Sequence, residues 1–560
     1  MKNNKTEILL YVGVVFVIIL FAFSLFKNIA YPLLWNDEAS TAMYGRRVLE
    51  YGYPKVHDEK NSLYLLSDTN FNIGIRNPGD IYVAEGWTQY YLAAFGDYFA
   101  NKTSNLYTKT AILRAPFALA GFLAIIIFGI TISLFFKDNK KKAFIAFFLF
   151  ELVSISLILH LREVRYYSLI LLFSAVLLNV YLRYIVLKTL SYKHYVWITS
   201  LFIVLLFHTH YPVAAIFMLT FGFHNLFLSY KTCEKKLSIF VNNFLKLALP
   251  LFISLIFIVL SLIYFKTFII TSSIASQSSL GIGNYFFNIF VAFLFFTKFE
   301  LLYLAIFIKI LLFSFLFLAR NNTTKENKIL LGVSNFLSLF FCIYILVMAR
   351  TIFLFERYII VLQPVLICII LLDIVLCWYL FNQIFIKPES INKKQVPRVF
   401  FVIISIAIWI SIIPLMELVK GHFYELTHQY KGPLDFAIPY IKEKFDDPSK
   451  IIIATNYEEN SYMYYLNSRT TIGYVGNNLE EDRKIEPDVI IIRKYFLGGQ
   501  QRYLDIFNKF FNDKKYEEVS FPIYEYPFNN IPELNLSVSH LFKTQFASKD
   551  NEKLYLYIKQ

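Results

Sequence analysis

Trp35-Asn36-Asp37-Glu38-Ala39 stands just after Ile8 to Phe26, an apolar run long enough to cross a bilayer. Two adjacent carboxylates at the mouth of a membrane segment are costly unless they meet water, a cation or a substrate. Asn36 has the chemistry of an N-cap, and acids in a first turn suit the positive end of a helix. Residues 37–50 therefore read as an amphipathic helix that opens on the acidic pair. A rigid helix start would also hold Asp37 where it can take a proton from a hydroxyl. The run before it is followed by no small-residue cleavage site, so it reads as a retained span and not a signal peptide.

The same apolar signal recurs along the chain. It is 57% hydrophobic and 19% aromatic, against about 45–50% apolar residues in soluble domains. On the ~20-residue criterion there are about eleven spans, centred near residues 18, 123, 151, 176, 202, 221, 253, 309, 339, 369 and 408. The formal net charge of +14 does not point to nucleic acid, because the basic residues sit in every second short loop. Lys2 and Lys5, Lys137 to Lys142, Lys188 to His194, Lys231 to Lys236, Arg320 to Lys328 and Lys387 to Arg398 all fall on one side, which the positive-inside rule makes cytoplasmic. Cys233, Cys342, Cys368 and Cys377 have no metal-type spacing and indicate neither a disulfide framework nor a zinc site.

Three regions then fall on the outer side: a long first loop (31–109), a Ser- and Gly-rich loop (266–284), and everything after about residue 420. The expected organisation is a membrane domain over 1–420 and a soluble extracytoplasmic α/β domain over 421–560. In the latter, Ile451 to Ala454 and Val489 to Ile492 read as buried strands, Gly432 to Phe445 and Asn460 to Leu466 as helices, and Leu554 to Ile558 as a last edge strand. The triplets starting at Asn101, Asn321 and Asn322 match a glycosylation pattern, the last two on the predicted inner side, and carry no weight.

Three further groups share the outer side with Asp37 and Glu38. In His160-Leu-Arg162-Glu163-Val-Arg165-Tyr166-Tyr167, arginines offer permanent, bidentate charge to a phosphate and tyrosines add hydroxyl donors. The competing reading is a belt of interfacial anchors. In His208-Thr-His210-Tyr211-Pro212, His210 is the better candidate for touching an acceptor or a metal, and His208 reads as a turn residue. Phe355-Glu356-Arg357-Tyr358 offers a second phosphate clamp, or an anchor in which Arg357 pairs with Glu356. Together these groups look like a site for an anionic, lipid-linked substrate.

Asp37-Glu38-Ala39 with Gly52-Tyr53-Pro54, Arg114-Ala-Pro116 to Gly121, Arg162 to Tyr166 with His210-Tyr211, and Arg357-Tyr358 with Pro364 occur in an order that resembles one known group. It is the membrane glycosyltransferases of the C-type (GT-C) fold, close to the protein O-mannosyltransferase and aminoarabinose-transferase branch. The match runs over roughly residues 31–370. Where many members have His-Pro-Pro-Leu-Tyr, this chain reads Glu85-Gly-Trp87-Thr-Gln-Tyr90-Tyr91, and Ser40 stands where members often have Arg.

The resemblance implies a hexosyl- or pentosyltransferase of the cell membrane that uses a polyprenyl-phosphate sugar and inverts the anomeric centre. A protein, lipid or glycan would be the acceptor. It implies a catalytic pair of Asp37 and Glu38, with Asp37 as general base, and Arg165 and Arg357 on the leaving phosphate, supported by Arg162, Tyr166 and Tyr358. Glu38 and His210 would orient the acceptor or hold a divalent cation, and the first loop would close over the donor. Two other classes remain open from the residues. One is a flippase of lipid-linked sugar, although no inverted repeat is visible; the other is a polysaccharide ligase or polymerase. A sensor with an outer domain would not need the arginine cluster.

Overall fold

The computed structural model describes residues 2–58, 60–63, 80–233, 236–265, 281–319, 324–351, 354–385, 395–429, 431–471, 486–493, 515–523 and 553–560. Most of the Ser- and Gly-rich loop and the triplets at Asn321 and Asn322 lie outside these residues. The helices are α1 (Lys2–Phe26), α2 (Asn36–Tyr51), α3 (Thr88–Ala100), α4 (Leu106–Ser133), α5 (Lys140–Glu151), α6 (Ile155–Leu161), α7 (Tyr167–Ile185), α8 (Tyr192–Phe207), α9 (Tyr211–Thr232) and α10 (Leu237–Tyr264). They continue as α11 (Ile282–Phe299), α12 (Leu302–Leu318), α13 (Lys325–Met348), α14 (Leu362–Phe385), α15 (Gln395–Ile412), α16 (Met416–Thr427), α17 (Leu434–Lys444) and α18 (Glu459–Leu466). Side-chain caps start several of them after polar loops: Asn105, Ser191 and Thr324 each accept from a backbone N–H three residues on.

Among the described residues, eight helices are long and apolar enough to cross a membrane, and three shorter apolar helices accompany them. This is a multi-pass membrane protein, and its helices differ from the expected spans in two places. The one centred near 151 is broken into α5 and α6 by a turn at Leu152–Ser154, where Glu151 and Ser154 are buried. The span expected near 309 is α12, and α11 precedes it where no helix was read. In α11, Tyr285 donates to the Leu346 carbonyl (3.0 Å) and Asn288 to those of Ala349 and Thr351 (3.0 and 2.7 Å). Glu300, just past its other end, accepts from Gln363 at 3.4 Å. Both ends of α11 thus meet the same end of the α13–α14 pair, so α11 lies across that end and leaves the alternation of loops intact.

Two cores divide the molecule. The larger joins the spans through residues such as Phe21, Leu161, Tyr181, Phe217, Phe340 and Leu366. The second joins α2, α3 and the start of α4 (Ala39, Tyr44, Tyr90, Leu113) to the C-terminal region (Ile438, Ile453, Tyr464, Leu556). That region carries a five-stranded sheet of β1 (Ile452–Thr455), β2 (Arg469–Thr471), β3 (Val489–Ile491), β4 (Tyr516–Phe521) and β5 (Leu554–Lys559), in the order β2-β1-β3-β5-β4. β1 pairs parallel with β2 and β3, and β5 pairs antiparallel with β3 and β4. Leu554 to Ile558 therefore forms an interior strand, contrary to the edge reading. Leu554, Leu556 and Ile558 are buried alternately, as a strand covered on one face requires.

Candidate active site

Arg114 sets the frame. It is buried in α4, and its guanidinium grips Glu38 with two bonds (Nε to Oε1 2.8 Å, Nη2 to Oε2 2.5 Å) while donating to the carbonyls of Ile29 and Pro32. Glu38 is fully buried, and its Oε1 also accepts from the Val164 backbone N–H at 2.9 Å. Glu38 was expected to face the acceptor or a metal. Instead both its oxygens are spent on fixing α2 against α4 and the loop between α6 and α7.

Asp37, one residue earlier, points elsewhere. Its side chain is 36% exposed, and its Oδ2 lies 4.0 Å from Arg165 Nη2. Asn36 was read as the N-cap, but Trp35 holds that position with no side-chain cap bond. The Asn36 Oδ1 instead accepts from the Asn460 backbone N–H at 3.3 Å. The start of α2 is thus tied to the C-terminal region.

Arg165 is 8% exposed and is held by Glu85 (Nη2 to Oε1 3.1 Å) and by Thr41 Oγ1 (3.2 Å). Its Nε is buried with no partner among the described residues. Burial alone would raise the Glu85 carboxyl, but the Arg165 charge and the hydrogen bonds from Arg165, Tyr90 and Gln89 outweigh it and hold Glu85 below its ordinary value. The segment around Glu85 is pinned by close backbone contact. Thr88 donates through N and Oγ1 to the His208 carbonyl (3.1 and 2.9 Å), and a Cβ on Gly86 would come within 2.2 Å of that oxygen. Only glycine fits there.

The other expected residues sort into two groups. Tyr166 stacks under Arg165 (4.9 Å to the ring) and against the His210 ring (4.9 Å). His210 is pushed down to about 4 by burial, with Arg165 acting in the same sense and Glu85 opposing. It is neutral at ordinary pH, and its Nδ1 is buried without a partner among the described residues. Arg357 is buried against the rings of Phe355 (4.5 Å), Trp35 (5.3 Å) and Tyr358 (5.7 Å). Burial raises the Tyr358 hydroxyl, with the Asp37 charge adding to the effect and Arg357 and Arg165 opposing it, so the hydroxyl stays a donor. Arg162 donates to the Lys27 carbonyl at 3.2 Å, at the end of α1. Glu356 takes the Nε2 side of His160 (3.1 Å), and Glu163 takes its Nδ1.

Three residues around Asp37 and Arg165 were not anticipated. Glu85 was noticed only as a departure from a motif. Tyr457 and Glu459 lie more than 400 positions along the chain; burial pushes both up, and the Asp37 charge adds to the effect. Beside them, Glu458 pairs with Arg493, both buried. Among the described residues no group of three or more His, Cys, Asp or Glu is placed to hold a metal, so the divalent-cation expectation finds no ligand set here.

The fold aligns along nearly its whole length with a crystal structure of ArnT from Cupriavidus metallidurans bound to undecaprenyl phosphate, with a TM-score of 0.51 and 12% identity over 98% of this chain and 97% of that one. It also aligns with the archaeal oligosaccharyltransferase AglB from Archaeoglobus fulgidus in complex with an inhibitory peptide and a dolichol-phosphate, with a TM-score of 0.52 and 12% identity over 94% of this chain and 74% of that one. The chain has a GT-C-like fold. No family profile matches the sequence, and no curated protein matches it.

Proposed function

We propose that this protein is a membrane glycosyltransferase that moves a sugar from a polyprenyl-phosphate donor to an acceptor on the extracytoplasmic face of the cell membrane, with inversion. The observation that carries the reading is the placement of Asp37. It is the partly exposed acid of the pair, 4.0 Å from an arginine that is itself buried and oriented by Glu85. The two aligned structures, whose fold this chain shares, were obtained with lipid phosphates. On this reading the acceptor O–H gives its proton to Asp37 as the acceptor oxygen attacks the anomeric carbon. The bond from that carbon to the phosphate oxygen breaks, and the electron pair leaves with the phosphate. Arg165 and Arg357 meet the charge that develops there, and the hydroxyls of Tyr166 and Tyr358 add neutral donors. Arginines already fixed by Glu85 and by aromatic faces need little reorganisation as that charge appears.

Glu38 then acts through position, because its bonds to Arg114 and Val164 set the angle at which α2 presents Asp37. Neutral His210 suits the acceptor side as an uncharged donor or acceptor. Residues 421–560 would form an extracytoplasmic domain that brings Tyr457 and Glu459 to the same mouth, opposite the arginines. The test is transfer from a panel of radiolabelled polyprenyl-phosphate sugars by the purified protein, run beside Asp37→Asn. Transfer or donor hydrolysis that disappears in the variant, with donor binding retained, supports the reading. Full activity in the variant removes Asp37 as the base.

A further inference from the structure

At the end of the bundle opposite Asp37 the structure holds a cavity of about 560 Å³, within the size range of small-molecule sites. It opens where α4 ends, and α5, α13 and α14 complete it. Phe136, Leu330, Val375 and Trp378 are among its apolar walls, and Lys137 and Lys142 stand at its rim. From Arg114 to Leu134 the α4 helix runs twenty residues, roughly 30 Å, which is about the thickness of a bilayer core. The cavity and the Asp37 cluster therefore lie at opposite membrane faces.

We propose that this cavity binds an anionic phospholipid from the leaflet opposite the Asp37 end, with an acyl chain along the apolar wall and the headgroup phosphate on Lys142. The charges at the rim favour an anion over a zwitterion. Lys137 pairs with Glu326, which also lines the opening. Lys142 has no ion-pair partner among the described residues and is exposed on the first turn of α5. A basic rim over an apolar slot between helices, on the side where basic loops cluster, is the physical recipe for an anionic lipid headgroup. Trp378 and Tyr379 give the opening the amphipathic rings that settle at a headgroup boundary. The inference does not rest on the transferase reading, because no residue of the Asp37 cluster takes part.

The test uses the full-length protein in phosphatidylcholine nanodiscs doped with brominated phosphatidylglycerol or brominated phosphatidylcholine, with tryptophan fluorescence as readout. The Trp378→Phe variant identifies the signal of Trp378. The expected result is quenching of Trp378 at about fivefold lower mole fraction of the anionic lipid. Lys142→Glu should abolish that preference while leaving the melting temperature and quenching by phosphatidylcholine unchanged. Equal quenching by both lipids would reduce the cavity to ordinary annular contact. Absence of quenching, or its reversal by stoichiometric polyprenyl phosphate, would also overturn the proposal, the latter by giving the cavity to the donor chain.

Discussion

Glu38 and Asp37 are neighbours on one helical turn, yet they belong to two regions with opposite character. Adjacent helical residues point about 100° apart. That turn sends Glu38 into a closed junction, where Arg114 and the Val164 amide use both its oxygens. It sends Asp37 into a half-open mouth, where the facing Arg165 stands 4.0 Å away and is anchored by a different acid. The junction is satisfied before any ligand arrives and the mouth is not. An arginine–carboxylate pair at the head of a span is thus structural or chemical according to whether its hydrogen bonds close on themselves.

The largest effect that can break this contrast is expected at Arg114→Ala. Leaving Glu38 charged in a dry junction with only the Val164 amide as partner should cost about 3–5 kcal/mol, read as lost folded yield and a lower melting temperature in detergent. If Arg114→Ala melted like the wild type, the junction would not be the structural half. Asp37→Asn should do the reverse, with a stability change within about 0.5 kcal/mol and a loss of about 10²–10⁴-fold in transfer rate. Measured together, the two variants separate stability from turnover across one turn of helix.

Glu85→Gln sharpens the mouth. Loss of the charge that holds Arg165 should cost about 1.5–3 kcal/mol, with weaker donor binding. Because the Glu85 carboxyl is held below its usual 4.5, its stabilisation is complete above that value and fades as pH falls through the lower folded value. The melting-temperature difference between wild type and Glu85→Gln should then be flat from about pH 8 to 5 and shrink below about 4.5. A difference that grew on acidification would contradict the pairing. Gly86→Ala should cost about 1–3 kcal/mol, because the new methyl meets the His208 carbonyl oxygen and pushes Glu85 away from Arg165.

At neutral pH the smallest effect belongs to His210. Its folded value of about 4 lies below the usual 6.5, so the unfolded chain binds the extra proton between those values and the wild type loses stability as pH falls through that window. A His210→Gln variant, titrated by thermal melting, should lack that part of the acid slope. An unchanged slope would mean that His210 is not buried as a neutral ring.

Much of the architecture was legible because membrane physics writes it in runs: apolar stretches near twenty residues and lysines in alternate loops are local signals. α11 was not, because its composition matches that of a span while its placement depends on contacts with Leu346, Ala349 and Gln363. Asp37, Arg165, Tyr166 and Arg357 were legible because each sits at the end of a span, where a charge is conspicuous. Glu38 looked equal to Asp37, since sequence alone does not give the helical phase until a partner such as Arg114 defines it. Arg162 and Arg165 posed the same problem three residues apart: the first reaches the Lys27 carbonyl and the second reaches Glu85. Glu85 was hidden in a long polar loop among other acids. Tyr457 and Glu459 carry no local mark at all, because only tertiary folding brings them to Asp37.

The stitching of α2 to the C-terminal region also has a consequence for biosynthesis. The peptide just before the acidic pair is bonded to residues made far later: Leu33 to Asp435, Leu34 to Tyr465 and Ser461, and Asn36 to Asn460. A ribosome adding about 5–20 residues per second needs roughly 20–80 s to cover that separation of some 400 positions. Throughout that interval the start of α2 lacks the partners that hold it in the finished fold. The start of α2 is held only once Asp435 to Tyr465 have been made and docked, so a chain truncated before them should be inert toward any substrate already present in the bilayer.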